Sequence, residues 1–355
     1  MIFWDTLLVS QANLDEGMVD MFNGSSDEVR YGGVRVLPVM FQDDIMRVVE
    51  NVSAARAGNV KVDYVMKSKQ LKLNPEKTSY ILFGKKKEVA EAQEEVKLSP
   101  IMCGDFMTKE KDVDKWLGDM FHKEGLAASV MATIKSREAK VKGACYEAAA
   151  IVEDWRAQVV GGFMSAIDLF ELAIVPTLLY NAETWMDISK EAEERLENLQ
   201  LFFLRLVLRV PVSTPKIALR TETGMMSMKI RIWKKKLMFG HHLQNLDKEA
   251  LANQVWKEQV RNGWPGLAKE IEEICTELEI AEANQPNYSK SEWGRIVGEA
   301  CRTKDRKDLL EGMEGKTKLA GLSEGGCDVK PYMSQKSLQQ VRDVFRARTC
   351  MVEWG

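Results

Sequence analysis

The sequence predicts an α+β fold in which a short antiparallel sheet with helices is followed by a mainly helical bundle. Short apolar runs separated by turn signals fall within about the first 120 residues. From Leu126 onward, apolar residues instead recur at helical spacing. The length of 355 residues is enough for roughly two domains. A content of 45% hydrophobic and 29% charged residues is typical of a globular protein.

Charge and cysteine usage narrow the class of protein. The net charge is -3, from 50 basic and 53 acidic residues, so any contact with nucleic acid must come from local basic patches. Three histidines and no paired cysteines argue against a structural zinc site. We expect reduced thiols in an intracellular protein, cytoplasmic or nuclear. The six cysteines are far apart in the sequence: Cys103, Cys145, Cys275, Cys301, Cys327 and Cys350.

No membrane segment is expected. The best candidate stretch, residues 163–180, contains Asp168, Glu171 and Pro176. It is too short and too charged to cross a bilayer comfortably.

Two adjacent carboxylates, Asp43 and Asp44, lie between the apolar runs 33–41 and 45–49. This pattern predicts a strand, a tight turn and a second strand, with both aspartates at the tip. Because such close carboxylates repel each other, a divalent cation relieves the cost of holding them together, and oxygen ligands suit magnesium. A plain hairpin turn is the alternative, since aspartate is common in turns.

The rest of the first third alternates between helix and strand signals. Residues 53–71 are predicted to be helical, and Asn74-Pro75 ends that pattern. Residues 78–84 are predicted to form a strand, which a charged connection joins to a second β region at 101–107. The second region has a turn signal at Gly104-Asp105. It is followed by the stretch Lys115-Trp116-Leu117-Gly118.

The remainder is predicted to be helical. Residues 126–156 form a long pattern that Gly143 could interrupt, and Pro176 is expected to kink or break the helix at 163–180. Residues 189–209 carry an apolar stripe, with glutamates near the start and arginines near the end, which suits the helix dipole. Further helices are predicted at 224–246, 248–260, 267–278, 291–312 and 337–351, with a short one at 14–22.

Four elements in this order resemble the C-terminal half of a reverse transcriptase from non-LTR (LINE-type) retrotransposons. Phe41-Gln42-Asp43-Asp44 is similar to the aromatic-x-Asp-Asp turn of the palm, although alanine is usual where Gln42 stands. The other three are the Asn-x-x-Lys-Thr loop at 74–78, the Leu-Gly hairpin at 115–118 and the Leu-Leu-Tyr-x-x-Glu-x-Trp stretch at 178–185. A looser likeness extends to Arg348-Thr349.

The resemblance implies a partial polymerase palm at 1–120, a helical thumb-like region at 121–250 and a C-terminal helical region at 251–355. It implies two-metal nucleotidyl transfer on an RNA template and a DNA primer, with Mg²⁺ and no small-molecule cofactor. Asp43 would bind metal with Asp44 assisting, and Lys77 would place a cation near the leaving pyrophosphate.

Further contacts with nucleic acid follow from the resemblance and from charge. Lys115 and Trp116 would position the primer end; the alternatives are a solvated lysine at Lys77 and a core-packing role for Trp116. Basic residues around Trp233 suit phosphate contact with stacking, or else form a solvated helix face. These residues are Lys229, Arg231, Lys234, Lys235 and Lys236. His241-His242 is expected to supply only surface or helix-end polarity.

The family's first catalytic aspartate and most of its nucleotide pocket have no counterpart before Asp43, and Asp5 lies too close in sequence to substitute. We therefore expect a fragment of an RNA-directed DNA polymerase that is inactive alone, with an unpaired sheet edge and poor solubility. One alternative is a helical nucleic-acid-binding or protein-interaction module without catalysis. Another is an active polymerase whose first aspartate comes from a partner chain or an upstream exon.

Overall fold

The computed structural model describes residues 2–8, 29–31, 33–36, 39–41, 44–156, 159–280, 288–314, 322 and 328–349. They form a mixed α+β fold, as the sequence predicts. The chain divides into two compact units. The sheet unit comprises Met1–Ala132 with Leu246–Gly263, and the helical unit comprises Thr133–Asn245 with Trp264–Gly355. Across the described residues, every helix is too short or too polar to traverse a bilayer.

Short strands dominate the sheet unit. They are β1 (Ile2–Leu8), β2 (Val29–Tyr31), β3 (Val34–Val36), β4 (Val39–Phe41), β5 (Asp44–Val48), β6 (Lys72–Leu73), β7 (Ser79–Ile81), β8 (Met102–Cys103), β9 (Phe106–Met107), β10 (Lys109–Glu110), β11 (Val113–Trp116) and β12 (Asp119–His122). Its helices are α1 (Val52–Ser68), α2 (Lys86–Leu98), the first turns of α3 (Leu126–Arg156), and a later helix, Leu251–Asn262.

The main sheet is built around β1. Its strand order is β10-β7-β1-β5-β4, and β6 also pairs with β1. Strand β1 is antiparallel to β5 on one side and to β7 on the other. Strand β5 is therefore paired along both sides, by β4 and β1, so the expected open edge does not lie at β5.

Helix α1 covers the sheet with an apolar face. Its Asn51 cap accepts a hydrogen bond from the Ala54 amide at 2.8 Å, which satisfies one unpaired donor of the first turn. One core cluster joins Val52 and Ala55 of α1 to Tyr80 of β7. A second cluster joins Ile45 of β5 to Val62, Val65 and Met66. Burial of these side chains stabilises the sheet unit by removing apolar surface from water.

The predicted charged connection between the two β regions is instead the helix α2. None of its residues is fully buried. Val89, Ala92 and Val96 nevertheless recur at helical spacing and pack against the core cluster that contains Val49. The helix was missed because this narrow stripe is hidden among lysines and glutamates.

The helical unit continues α3 from Thr133 and adds the remaining helices. In chain order these are α4 (Gly162–Leu169), a π-helical turn (Phe170–Ile174), α5 (Val175–Leu178), α6 (Lys190–Leu208), α7 (Lys216–Thr223) and α8 (Met228–Gln244). The sheet unit's Leu251–Asn262 is α9, and it is followed by α10 (Leu267–Glu277), α11 (Lys290–Met313), α12 (Pro331–Gln335) and α13 (Leu338–Arg348). Gly143 does not interrupt α3.

Helix α6 and the helical segment around Pro176 cover two stretches that the sequence predicts to be helical. Helix α6 starts after the Ser189 cap and ends at Arg209, which has the left-handed φ of +51°, so the prediction at 189–209 is confirmed. Near Pro176 the chain stays helical, but a π-helical turn at Phe170–Ile174 precedes the proline. Since proline cannot donate and its ring clashes with the preceding turn, the wider turn accommodates it.

Arginines of α13 anchor the end of the chain. Arg342 is buried; its Nε donates to the Val207 carbonyl at 2.9 Å and its guanidinium pairs with Glu153 at 2.6 Å. Arg348 pairs through two nitrogens with the fully buried Glu222, at 2.7 and 3.0 Å. These contacts tie α13 to α3, α6 and α7, so the Arg-x-Arg-Thr sequence is held by internal bonds.

We predict that Arg342→Ala lowers the unfolding free energy by about 3 kcal/mol, because the half-buried Glu153 carboxylate and the buried Val207 carbonyl each lose a hydrogen-bond donor. Arg346→Ala is the matched control on the same helix. Its Nη2 makes one exposed bond to the Arg209 carbonyl, and its loss should cost about 1 kcal/mol. Urea unfolding followed by far-UV circular dichroism measures both, and equal losses would contradict the anchoring role of Arg342.

Candidate metal and nucleic-acid site

Two predicted catalytic elements start at the same end of the main sheet. Strands β5 and β7 are both antiparallel to β1, so both begin toward the end of the sheet where β1 ends. Asp44, the first residue of β5, is in register with Thr6; Ser79, the first residue of β7, is in register with Trp4. Two strand spacings separate β5 from β7 by about 10 Å. Asp44 and the loop that carries Lys77 therefore share one end of the sheet.

The predicted hairpin around the carboxylate pair is present. Strands β4 and β5 are antiparallel, with Phe41 opposite Asp44. Asp44 thus belongs to a strand, whereas we expected both aspartates at the tip. The ladder extends one residue further than the apolar pattern indicates, since strand pairing does not require an apolar side chain. Asp43 lies outside the described residues, and Asp44 is described by its backbone alone.

The neighbouring strand does not place an aspartate opposite Asp44. In the β1–β5 register, Thr6 pairs with Asp44, and Asp5 pairs with Ile45. Mg²⁺ prefers oxygen ligands such as carboxylates, so the Asp43-Asp44 pair supplies ligand atoms of the right type for this metal. Among the described residues, no group of three or more His, Cys, Asp or Glu side chains is arranged to hold a metal ion.

Asn74 shapes the loop that presents Lys77. Its side-chain oxygen accepts from the Glu76 amide at 2.9 Å. Its carbonyl accepts from the Thr78 amide at 2.9 Å and from the Thr78 hydroxyl at 2.8 Å. Thr78 is buried and Lys77 is exposed. The loop therefore has a hydrogen-bonded frame that leaves the lysine side chain in solvent, and the catalytic role of Lys77 stays a prediction.

The hairpin at 115–118 forms as predicted. Strands β11 and β12 pair with Trp116 opposite Asp119. The turn residues Leu117 and Gly118 have φ values of +45° and +92°. Positive φ at both central positions is the geometry of a two-residue hairpin turn that matches strand twist. Lys115 is exposed, whereas Trp116 is half-buried.

Asp114 joins this hairpin to the strand that follows Lys77. Its carboxylate accepts a hydrogen bond from the Ser79 hydroxyl. It also accepts from the Lys111 ammonium at 3.0 Å and from the Lys115 amide at 2.9 Å. The hairpin is thereby joined to the strand that follows the Lys77 loop, and β1 places the start of β5 at the same end of the sheet. The sequence gives no local signal for this role of Asp114, because its partner Ser79 is 35 residues away in the chain.

Two of the five basic residues predicted on α8 form ion pairs with other residues of the helical unit. Arg231 makes a two-pronged pair with Glu171, at 2.6 and 2.7 Å, and donates to the Met226 carbonyl. Lys236 is fully buried and pairs with Glu270 of α10. Contact with nucleic acid through either side chain would require breaking these pairs.

The other three α8 cations are more accessible. Lys229 lies 4.8 Å from the centre of the Trp233 ring and 4.0 Å from Glu193. Lys235 pairs with Glu183 at 2.7 Å. Lys234 is exposed and lines two clefts of about 470 and 370 Å³. Of these three lysines, Lys229 therefore contacts an aromatic ring, Lys235 forms an ion pair, and Lys234 lines an open cleft.

The stretch at 178–185 is organised by an arginine of α3. The Arg137 guanidinium donates to the carbonyls of Leu178 and Tyr180, at 3.2 and 2.8 Å. It lies 5.7 Å from the Tyr180 ring centre and 5.5 Å from that of Trp185. Asn181 turns the chain with a φ of +56°. The residues of this fourth element thus have a structural explanation within the helical unit.

The histidine pair has two different environments at the end of α8. His241 is buried; its Nε2 lies 2.9 Å from the Tyr288 carbonyl and its ring stacks on Trp293. His242 is exposed. The expectation of helix-end polarity is met, but a surface role is wrong for His241, because the segment around Tyr288 and Trp293 packs over it.

Comparison with protein-family models, curated proteins and solved structures finds no match for this chain.

We predict that wild-type protein gains stability relative to Lys236→Met as the pH rises toward 10.5. Burial lowers the pKa of the Lys236 ammonium from its ordinary value of 10.5, although Glu270 opposes this. Between the lowered pKa and 10.5, the unfolded chain binds more protons than the folded chain, so the unfolding free energy rises with pH. Urea unfolding at a series of pH values measures the difference.

The control for this titration is Lys234→Met, two residues away on the same helix. Lys234 is exposed, so this variant removes a lysine from the same helix without changing a buried position, and the pH profile of Lys236→Met is compared with it. A flat pH profile for Lys236→Met would contradict the assignment of a costly buried ammonium.

Proposed function

We propose that this chain is part of a reverse transcriptase of the non-LTR retrotransposon class, and that it binds an RNA template and a DNA primer without extending the primer alone. One observation carries the proposal. The elements bearing Asp44, Lys77 and Lys115 are far apart in sequence, yet they meet at one end of the sheet unit. A primer terminus needs this combination of carboxylates and cations.

Each element would have its own task. Asp43 and Asp44 would hold Mg²⁺, and the bound ion would stabilise charge on the oxygens of phosphoryl transfer. Lys77 stands in solvent on a loop framed by Asn74, where it can approach a phosphate. Lys115 is exposed on a hairpin whose orientation Asp114 restrains. The expected substrate is therefore a primer–template duplex.

The same geometry argues against catalysis by this chain alone. Two metal ions need a further bridging ligand to fix their separation, and small misplacements cost large factors in rate. The strand beside β5 offers Thr6 in register with Asp44. The 355 residues thus support binding more strongly than primer extension.

The alternative is a helical protein-interaction module without nucleic-acid contact. It is favoured by the internal use of Arg231 and Lys236, which removes two cations from the predicted interface. Binding measurements separate the two proposals.

We predict salt-dependent binding of the full chain to an RNA–DNA primer–template duplex, measured by fluorescence anisotropy. Each phosphate contact contributes about 0.9 to the slope of log affinity against log salt. The double variant Lys77→Gln/Lys115→Gln should therefore reduce that slope by about 1.8. The absence of salt-dependent binding at low ionic strength would overturn the proposed function.

Lys97→Gln is the matched control for the duplex measurement. Lys97 is exposed near the end of α2, where Val96 packs against the cluster containing Val49, beyond the C-terminal end of β5. Glu95, two residues before Lys97, pairs at 2.7 Å with Arg56 near the start of α1, and α1 follows the C-terminal end of β5, whereas Asp44 begins that strand. Substitution of Lys97 should therefore leave the slope unchanged. An equal reduction for Lys97→Gln would indicate non-specific charge attraction.

We predict that wild-type chain with Mg²⁺, primer–template and deoxynucleotides gives no extended primer, because one carboxylate pair does not fix two metals. Gel analysis of a labelled primer measures this. Asp43→Ala is the control that separates catalysis from contamination. Product that forms with the wild type and disappears with Asp43→Ala would refute inactivity and support an active polymerase.

A further inference from the structure

A cleft of about 470 Å³ opens in the helical unit beside the C-terminal half of α8. Helix α8 contributes Lys234, Met238, Phe239 and His242 to its walls, and Lys290 enters from the first turn of α11. Its volume falls in the range of roughly 300–1,000 Å³ that small organic ligands occupy. The sequence gives no local signal that relates Lys290 to α8, because about fifty residues separate them.

The cleft has a net positive charge. Three lysines and one glutamate line it, which leaves a charge of +2 when both histidines are neutral. The glutamate is Glu183, which Lys235 already pairs at 2.7 Å. Lys234 and Lys290 are exposed, and neither forms an ion pair with a residue that the structure describes. The two lysines are therefore available to an anion.

An aromatic surface lies beside these cations. The rings of Phe239 and His242 are 6.3 Å apart between centres and inclined by 32°. Phe239 is half-buried and His242 is exposed, so one ring is held by packing and the other faces solvent. A planar ligand can stack on such a surface, and stacking beside lysines is how proteins hold unpaired bases.

We propose that this cleft binds a nucleotide unit of single-stranded nucleic acid. The base lies against Phe239 and His242, and the flanking phosphates contact Lys234 and Lys290. The inference rests on the proposed function, since it assigns the unpaired part of a bound nucleic acid to one place. A free nucleotide shares the same chemistry and forms a separate arm of the test.

The test uses the full chain and a fluorescein-labelled oligothymidylate in a salt titration. Lys234→Gln/Lys290→Gln should make the slope of log affinity against log salt shallower by about 1.4, since each single-strand phosphate contributes about 0.7. Phe239→Leu keeps an apolar side chain but removes the ring, and should weaken binding at least about fivefold.

Lys307→Gln is the control for the lysine pair. Lys307 is exposed on α11, 17 positions after Lys290, which places it about 26 Å farther along the helix. Its substitution should not change the slope. Circular dichroism of every variant confirms that the helical content is retained.

A second readout locates the bound base. An oligonucleotide carrying one 5-iodouridine should, on irradiation, cross-link to a peptide that contains Phe239 and His242, identified by mass spectrometry. Cross-links found only on other peptides would overturn the inference. Thymidine monophosphate that binds in place of the oligonucleotide, with no oligonucleotide binding detected, would overturn the single-strand assignment.

The duplex measurement keeps the two proposals distinguishable. If duplex binding persists while Lys234→Gln/Lys290→Gln and Phe239→Leu leave single-strand binding unchanged, the cleft inference fails and the proposed function stands. If neither duplex nor single strand binds, both fail.

Discussion

The backbone pairing of β1 with strands on both of its sides organises the sheet unit. β1 takes β5 on one side and β7 on the other, both antiparallel. Because antiparallel neighbours of one strand start at the same end, this arrangement brings Asp44 and the Lys77 loop together from positions more than thirty residues apart. The Ser79–Asp114 hydrogen bond then adds the Lys115 hairpin. A sheet without β1 would leave these elements with no shared framework.

Buried charge plays the corresponding role in the helical unit. Glu222 is fully buried and receives Arg348 together with the Tyr332 hydroxyl, and Lys236 is fully buried beside Glu270. Loss of one partner leaves an uncompensated buried charge, which is strongly destabilising, so these pairs disfavour arrangements that separate the helices they join. Ion pairs within the helical unit also occupy basic residues that the sequence alone would assign to nucleic-acid contact. Of the cluster around Trp233, Arg231 and Lys236 contribute to packing, while Lys234 remains available in a cleft wall.

Local physics made much of this fold predictable. The glutamates, arginines and apolar stripe of α6 predicted its bounds closely, and the turn at Gly104-Asp105 did the same for β8 and β9. Helix α2 was missed because its stripe is narrow. The motifs of the candidate site could be predicted from the sequence, but the contacts that bring them together could not. Nothing local in the sequence relates Asp114 to Ser79, or Lys290 to Phe239, since those contacts depend on tertiary packing.

We propose that the Asp44 hairpin, the Lys77 loop and the Lys115 hairpin form one surface for a primer–template duplex. Hydrogen–deuterium exchange with and without duplex at low salt tests this proposal. We expect the duplex to protect the amides of residues 74–81 and of residues 113–122, and to leave the amides of α2 unprotected. Protection of only one of the two segments, or of neither, would contradict a shared binding surface.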